Sequence, residues 1–185
     1  MQKYAEARQS ERMSNASFRF MALTFKVTDL FFPYIDKRVA TFGIREGMTV
    51  VDYGCGTGRY TLRFASLVGP AGIVYAADIH ELAIEAVKKE IARRRLQNVV
   101  PVLAHGYQSG IPDGVADIVC AIDMFFGIRE PAEFLAELRR VCKPDGTLII
   151  DDGHQPRQAT KEKIALSSHW RIAEELRDHL KCRPV

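Results

Sequence analysis

One stretch of the chain decides the fold: residues 48–58 read MTVVDYGCGTG. Its first half is rich in β-branched side chains and is typical of a buried strand. Gly54, Gly56 and Gly58 follow, and glycine allows a sharp turn and a close approach to a ligand because it has no Cβ. The stretch therefore predicts a strand, a tight loop and the start of a helix, where free N–H groups favour a negatively charged ligand group.

Outward from this stretch, short β-rich runs alternate with segments of helical period. This pattern is typical of a parallel sheet with helices on both faces. We predict one doubly wound α/β domain over residues 31–185 and a helical N-terminal extension over residues 1–30, with a further helix that begins at Pro33. The predicted strands are 48–52, 73–77, 99–103, 118–122, 147–150, 170–176 and 179–183, and a turn is predicted at 143–146.

Length, composition and charge exclude several classes of protein. The 185 residues fit one domain, and 26 basic against 23 acidic residues leave a formal charge of +3, which argues against a protein that binds long nucleic acids. The basic run at 93–95 is interpreted as a solvated helix end. No apolar run reaches the ~20 residues of a membrane-spanning helix.

Two further features of composition favour a cytoplasmic location. The charged N-terminus lacks the apolar block of a secretory signal. The 4 cysteines include no closely spaced pair, which favours a reducing compartment over a disulfide framework or a zinc site.

A carboxylate follows the second predicted strand. Asp78 lies 20 residues after Gly58, at the edge where parallel sheets bind ligands, and a carboxylate there can accept both hydroxyls of an adenosine ribose. A dinucleotide-binding loop would require glycine at the position of Arg59. The tighter glycine spacing therefore disfavours a nicotinamide-dependent oxidoreductase.

With these motifs the sequence resembles the class I S-adenosylmethionine-dependent methyltransferases. Residues 50–58 resemble their first motif, and Asp78 resembles their ribose-binding acid. The segment IPDGVAD at 111–117 is similar to the one before their fourth strand, and LRRVCKPDGTL at 138–148 to the one before their fifth. The resemblance covers about residues 33–184. It implies a mostly parallel, seven-stranded, Rossmann-like sheet with an antiparallel C-terminal hairpin, and S-adenosyl-L-methionine as methyl donor.

The resemblance also implies which residues hold the cofactor. The glycine loop would contact the methionine portion, Asp78 the ribose and Ile79 the adenine face. The family's usual acid near the adenine amino group is missing, and backbone atoms or Gln108 would take its place. The residues expected to bind the cofactor are Asp52, Tyr53, Gly54, Cys55, Gly56, Gly58, Asp78, Ile79, Tyr107 and Gln108.

Methyl transfer is a displacement at an already activated carbon, so the protein mainly positions the two reactants and excludes water. A base is needed only where the nucleophile arrives protonated. The catalytic candidates are Asp123, which follows the fourth strand, and Asp152 and His154, which follow the fifth. Asp123 could instead cap a turn, and Asp151 is interpreted as loop polarity. A divalent cation on these carboxylates is the weaker alternative, and no metal is predicted because no ligand spacing is diagnostic.

The acceptor is predicted to be a small molecule, with no nucleic-acid or membrane partner. The chain carries no inserted substrate domain and no Asn/Asp-Pro-Pro-Tyr segment, so a cover would come from the N-terminal extension through Phe18, Phe20 and Phe25. A methyltransferase of protein or RNA is the alternative enzyme, which a continuous basic groove would favour. A module that binds S-adenosylmethionine without catalysis is the alternative outside the enzymes. No oligomeric state is predicted.

Overall fold

The structure, a computed structural model, describes residues 11–31 and 34–185. Its helices are α1 (Asn15–Phe31), α2 (Tyr34–Val39), α3 (Thr61–Val68), α4 (Glu81–Arg94), α5 (Pro131–Val141) and α6 (Arg157–Ala165), with a 3₁₀ turn at Phe125–Gly127. Its strands are β1 (Thr49–Tyr53), β2 (Ile73–Asp78), β3 (Val99–Leu103), β4 (Ala116–Ala121), β5 (Cys142–Ile150), β6 (Trp170–Glu175) and β7 (Leu180–Pro184).

The seven strands form one sheet in the order β3-β2-β1-β4-β5-β7-β6. Strands β1 to β5 pair in parallel, whereas β7 is antiparallel to both β5 and β6. The strand order reverses between β1 and β4, so a crevice opens at their carboxyl ends, where sheets of this type bind ligands. The predicted doubly wound sheet and its antiparallel C-terminal hairpin are confirmed.

Helices cover both faces of the sheet because successive strand residues point to opposite faces. Val50 packs in the apolar cluster with α2, α3 and α4, and Val51 packs in the cluster with α5 and α6. Phe64 on the first face and Phe134 on the second are fully buried. Burial on both faces explains why these strands read as continuous apolar runs.

The N-terminal part of the described chain is mostly helical. Helix α1 confirms that the N-terminal extension is helical, in a stretch of mixed apolar and polar residues. Pro33, the predicted start of the next helix, lies outside the described residues, and α2 begins at Tyr34. No helix in the described part of the chain has both the length and the apolar character that crossing a membrane requires.

Strand β5 departs most from the prediction. It begins at Cys142, so the turn expected at 143–146 is part of the strand. Its register against β4 shifts between Ala116 and Ile118, and such an irregularity lets pairing continue through a distorted stretch. Gly146 fits there because an added Cβ would lie 2.5 Å from the Cys142 Sγ and 3.0 Å from the Ala116 carbonyl oxygen.

Packing on the sheet determines which side chains are buried. Leu67 is 42% exposed because the sheet covers only the stripe of α3 that holds Phe64 and Val68. His179 is fully buried in the β6–β7 turn, where its ring packs edge-on against Phe42.

Candidate functional site

A cleft opens at the carboxyl ends of β1, β2 and β4, where the strand order reverses. The glycine loop, the end of β2, the loops after β3 and β4 and the N-terminal segment all contribute to its wall. Much of this wall is apolar, with contributions from Phe18, Met21, Tyr53, Ile79, Met124 and Phe134. The sheet topology therefore produces the crevice that the sequence predicted.

The three loop glycines all adopt left-handed backbone angles. The φ values of Gly54, Gly56 and Gly58 are 79°, 51° and 81°, a region that other residues enter only at a cost. An added Cβ would lie 2.8 Å from Met124 Cγ at Gly54 and 3.2 Å from Val87 Cγ2 at Gly58, whereas at Gly56 its nearest neighbour would be 4.0 Å away. Gly54 and Gly58 therefore allow close packing, and Gly56 leaves space at the cleft.

The N–H groups of the loop are already used within the protein. Gly54 and Cys55 donate to the Ala77 carbonyl oxygen at 2.8 and 3.0 Å, and Gly58 donates to the Cys55 carbonyl oxygen at 2.9 Å. Gly56 donates to Asp78 Oδ2 at 2.9 Å. The predicted free donors are thus wrong at these positions. Because a phosphate cradle needs such donors, the loop is suited to a ligand that places no phosphate here.

Asp78 ends β2 with both carboxylate oxygens held in place. Oδ1 accepts from the backbone N–H of His80 at 2.8 Å, and Oδ2 accepts from Gly56. Burial raises the pKa of Asp78, and the two N–H donors oppose that rise. Each carboxylate oxygen retains a second lone pair. The group can therefore accept two ligand hydroxyls without losing its own orientation.

Asp52 lies beneath the loop and does not contribute to the cleft wall. Its carboxylate accepts from the Thr61 hydroxyl at the start of α3. Burial raises the pKa of Asp52 to about 7. The structure thus gives Asp52 a supporting contact to α3 where the sequence predicted direct contact with a cofactor.

Helix α1 covers one side of the cleft through aromatic contacts. The ring of Phe18 is buried and stacks on the His80 imidazole at a centroid distance of 4.6 Å. The guanidinium of Arg59 lies 4.6 Å from the centre of the Phe25 ring. Phe20, also predicted as a cover contact, is 71% exposed because it lies on the other face of the helix.

The residues just before α1 tie this cover to the domain. Glu11 Oε1 accepts from the Tyr107 hydroxyl at 2.6 Å and from the Arg129 backbone N–H at 2.9 Å. Arg12 forms an ion pair with Glu81 of α4 at 3.2 Å. The segment is therefore joined to the loops after β3 and β4 and to α4.

Tyr107 and Gln108 were both expected to bind the cofactor, and of the two only Tyr107 lines the cleft. The Tyr53 hydroxyl donates to the Tyr107 carbonyl oxygen at 2.6 Å, and both rings pack edge-on against Phe134. Gln108 is exposed, and its backbone pairs with that of His105. Its position does not support the predicted contact with adenine.

Asp123 brings a carboxylate to the other end of the cleft. Its φ of 58° is left-handed, which is uncommon for a residue other than glycine. The Tyr60 hydroxyl donates to Oδ2 at 3.4 Å, and Arg38 Nη1 donates to Oδ1 at 3.5 Å. The side chain is 47% exposed at the cleft. Asp123 is thus a predicted catalytic residue that the structure places where an acceptor could meet it.

Asp152 and His154 do not reach the cleft. Asp152 pairs with Arg157 Nε at 2.7 Å, and His154 is exposed and packs edge-on against Phe126 at 4.9 Å. The loop after β5 carries both residues toward α6. Their positions therefore give no support to the predicted catalytic role.

Asp151 is buried, although the sequence suggested a polar loop residue. Its Oδ2 accepts from Arg38 Nη2 at 2.6 Å. Burial and the nearby charge of Asp123 raise the pKa of Asp151 above its ordinary value, and Arg38 opposes that rise. Sequence reasoning missed Arg38, although one signal was present, since it lies three residues after Ile35 on an otherwise apolar stripe of α2.

The described residues give no support for a metal centre or a thiol nucleophile. Within the described ranges, no group of three or more His, Cys, Asp or Glu side chains is arranged to hold a metal ion. Burial raises the pKa of Cys55 well above its ordinary value, so its thiol stays protonated at neutral pH.

The chain matches a family model described as a methyltransferase domain over residues 44–181. The matched range contains the glycine loop, Asp78 and Asp123. The chain belongs to this methyltransferase family. The resemblance that the sequence motifs indicated is thereby confirmed.

This methyltransferase-family chain has curated relatives in bacteria. It is 34% identical to the ubiquinone/menaquinone biosynthesis C-methyltransferase of Saccharophagus degradans over 125 residues. This aligned stretch covers 65% of this chain and 49% of that protein. It is 31% identical to the demethylmenaquinone methyltransferase of Geobacillus stearothermophilus over 116 residues. This stretch covers 61% of this chain and 48% of that protein. The chain therefore spans about half the length of these relatives.

A solved structure shares the fold. A SAM-dependent methyltransferase from Aquifex aeolicus aligns with a TM-score of 0.75 at 24% identity, covering 86% of this chain and 97% of that one. The sheet and its flanking helices are therefore the family's architecture.

Proposed function

We propose that the chain is an S-adenosyl-L-methionine-dependent methyltransferase that acts on a small-molecule acceptor. The observation that carries the proposal is the pairing of Asp78 with the glycine loop. Asp78 presents an oriented carboxylate, while the loop beside it turns its N–H groups inward. This combination favours a nucleoside ligand without phosphate over a dinucleotide.

The cleft offers matching partners for each part of this cofactor. Asp78 would accept the ribose hydroxyls, and the apolar side chain of Ile79 would lie against the adenine. Gly56, which leaves open space at the cleft, would allow the methionine portion to approach the backbone. The sulfur of the bound cofactor supplies a methyl group that is activated by a positive charge.

The remaining task of the protein is to position the acceptor and to remove its proton. Asp123 would accept the proton that a hydroxyl-bearing acceptor loses, because it is the half-exposed carboxylate at the acceptor end of the cleft. The apolar wall and the cover from α1 would exclude water and favour the aligned displacement.

We infer that the acceptor is a small aromatic compound with a hydroxyl group. Ile122 and Met124, which flank Asp123 in the chain, line the cleft, which suits an apolar ring beside a carboxylate. The two curated relatives are named for quinone biosynthesis and for demethylmenaquinone, and their hydroquinones belong to this chemical class. The nearly balanced charge supports an enzyme without a nucleic-acid partner, and the absence of a closely spaced cysteine pair supports a cytoplasmic location.

A methyl-transfer assay tests the proposal. The purified chain is incubated with S-adenosyl-L-methionine that carries a tritiated methyl group and with one acceptor at a time: a reduced naphthalenediol with a short isoprenoid chain and no ring methyl, a catechol, a secondary amine, or transfer RNA. We expect label in a hydroxylated small acceptor and none in the RNA. Cofactor binding without transfer to any small acceptor would instead indicate a binding module.

A further inference from the structure

A buried polar cluster surrounds the guanidinium of Arg38 at the acceptor end of the cleft. Nη2 donates to Asp151 Oδ2 at 2.6 Å and to the Asp178 carbonyl oxygen at 2.9 Å. Nη1 donates to the Tyr60 hydroxyl at 2.8 Å and to Asp123 Oδ1 at 3.5 Å. We call these five residues the Arg38 cluster. One side chain of α2 thereby joins the start of α3, the ends of β4 and β5, and the β6–β7 turn.

The burial of this guanidinium is costly for a purely structural contact. The Arg38 side chain is only 4% exposed, and that of Asp151 only 3%. A buried ion pair is commonly no more stabilising than apolar residues of similar volume, because both charges lose their hydration. Arg38 lies on the stripe of α2 that holds Ile35 and Val39, where an apolar side chain would suit the core. Stability alone therefore does not account for an arginine here.

The cluster fixes Asp123 at two points. The backbone N–H of Asp123 donates to Asp151 Oδ1 at 2.9 Å, which helps to retain its left-handed backbone. Its carboxylate receives Arg38 on one oxygen and Tyr60 on the other. Arg38 also holds Asp151 itself, so the same guanidinium controls both the backbone anchor and the side-chain orientation of Asp123.

We propose that Arg38 is a positioning residue that holds Asp123 ready to take the acceptor's proton. The inference rests on the proposed function. During transfer the bond between sulfur and the methyl carbon breaks with its electron pair left on sulfur. A new bond joins the methyl carbon to the acceptor, and the acceptor's proton passes to an Asp123 oxygen. Arg38 touches neither reactant and acts through Asp123.

Several titratable groups on neighbouring elements surround Asp123. Arg38 is the cation that the described structure places against its carboxylate. Without it, the carboxylates of Asp123 and Asp151 would face each other with no opposite charge between them, and proton removal would lose its aligned acceptor. At high pH the acceptor hydroxyl ionises without a base, so the loss of Arg38 would slow the reaction less. The groups in question are Tyr34 and Arg38 of α2, Tyr60, Asp123, Asp151, Asp178 and His179.

The test compares Arg38→Met and Arg38→Lys with Arg157→Met as a matched control. Arg157, like Arg38, connects another element to the β6–β7 turn. It pairs with Asp152 and donates to the Leu176 carbonyl oxygen at 3.0 Å. It does not touch Asp123 or line the cleft. For each protein we would measure kcat and KM on the reduced naphthalenediol between pH 6 and pH 10, the affinity for S-adenosylhomocysteine by calorimetry, and the melting temperature.

We expect Arg38→Met to lower kcat at pH 7 by about 30-fold or more, with little change in affinity for S-adenosylhomocysteine. The deficit should shrink toward pH 10, and Arg38→Lys should recover part of the rate because it retains the charge. Arg157→Met should lose melting temperature without a pH-dependent loss of kcat. A deficit in Arg38→Met that is constant with pH, or that equals the deficit of Arg157→Met, would overturn the proposal.

A structural readout separates this proposal from the choice of acceptor. If the wild-type protein methylates no acceptor, the proposed function is contradicted, but the positioning role of Arg38 is still open to test. Crystal structures of the S-adenosylhomocysteine complexes would then decide the role of Arg38, with Arg38→Lys replacing Arg38→Met if the latter does not fold. Displacement of the Asp123 carboxylate from the cleft in the variant supports the proposal, and an unmoved carboxylate contradicts it.

Discussion

Two carboxylates at the ends of neighbouring strands have different tasks because their surroundings differ. Asp78 is oriented by two backbone N–H groups and keeps lone pairs for a ligand. Asp52 is buried beneath the loop and accepts from Thr61. The first carboxylate is therefore placed for recognition, and the second for support of the helix that follows the glycine loop.

At the residue scale, we expect Asp78→Asn to weaken the binding of S-adenosylhomocysteine by ~1–3 kcal/mol, because buried hydroxyls would lose a charged partner. Isothermal titration calorimetry measures this difference directly. Asp113→Asn, at a side chain that is 80% exposed, is the control and should bind like the wild type. Equal affinities for all three proteins would remove Asp78 from the ribose site.

Asp52 gives a prediction about pH and stability. Its pKa rises from 3.8 in the unfolded chain to about 7 in the folded protein because of burial. Between these values the unfolded chain has released its proton while the folded protein still holds it, so this group makes the fold less stable as pH rises from 4 to 7. Asp52→Asn removes that dependence.

Urea unfolding at several pH values checks this effect. The free energy of unfolding of Asp52→Asn, relative to the wild type, should increase by roughly 3 kcal/mol from pH 4 to pH 7. Glu85→Gln, at an exposed position of α4, should run parallel to the wild type. A difference for Asp52→Asn that does not change with pH contradicts a buried carboxyl with a raised pKa.

At the scale of elements, α1 divides its aromatic side chains between two environments. Phe18 stacks on His80, which caps α4 and donates its backbone N–H to Asp78. Phe20 faces away from the domain and is 71% exposed. The inner face of α1 is thus linked to the Asp78 carboxylate through one histidine, which supports the proposed role of the N-terminal extension as a cover.

We expect Phe18→Ala to weaken binding of S-adenosylhomocysteine by about 0.5–1.5 kcal/mol, because the stacked contact on His80 is lost and the cleft opens to water. The dissociation rate, measured by stopped-flow fluorescence or surface plasmon resonance, should rise accordingly. Phe20→Ala on the same helix serves as the control and should change neither quantity. Identical behaviour of the two variants would show that α1 does not cover the site.

The same elements show how far a sequence can be interpreted. Strand β3 lies where it was predicted, because Val99–Leu103 is a compact β-rich run. A helical N-terminal extension was predicted and α1 confirms it, although the mixed apolar and polar stretch did not give the bounds of the helix. Strand β5 was predicted too short because Pro144 and Gly146 favour a turn, a preference that pairing with β4 overrides.

At the scale of the whole molecule, topology determines which side chains meet. The ends of β1, β2 and β4 converge, so the glycine loop, Asp78 and Asp123 could be predicted as one site from the sequence alone. Asp152 and His154 could not be excluded, since the direction of the loop after β5 depends on its packing with α6. The contacts of Arg38 join residues 22 to 140 positions apart, and no local pattern reveals such a cluster.

The proposed function requires one ligand, S-adenosyl-L-methionine, at the bend between β1 and α3. Calorimetric titration of the purified chain with S-adenosyl-L-methionine, and in parallel with the oxidised nicotinamide dinucleotide, tests it most directly. We predict saturable one-to-one binding of the sulfonium compound and no heat from the dinucleotide. Binding of the dinucleotide, or no binding of either compound, would contradict the assignment of this cleft.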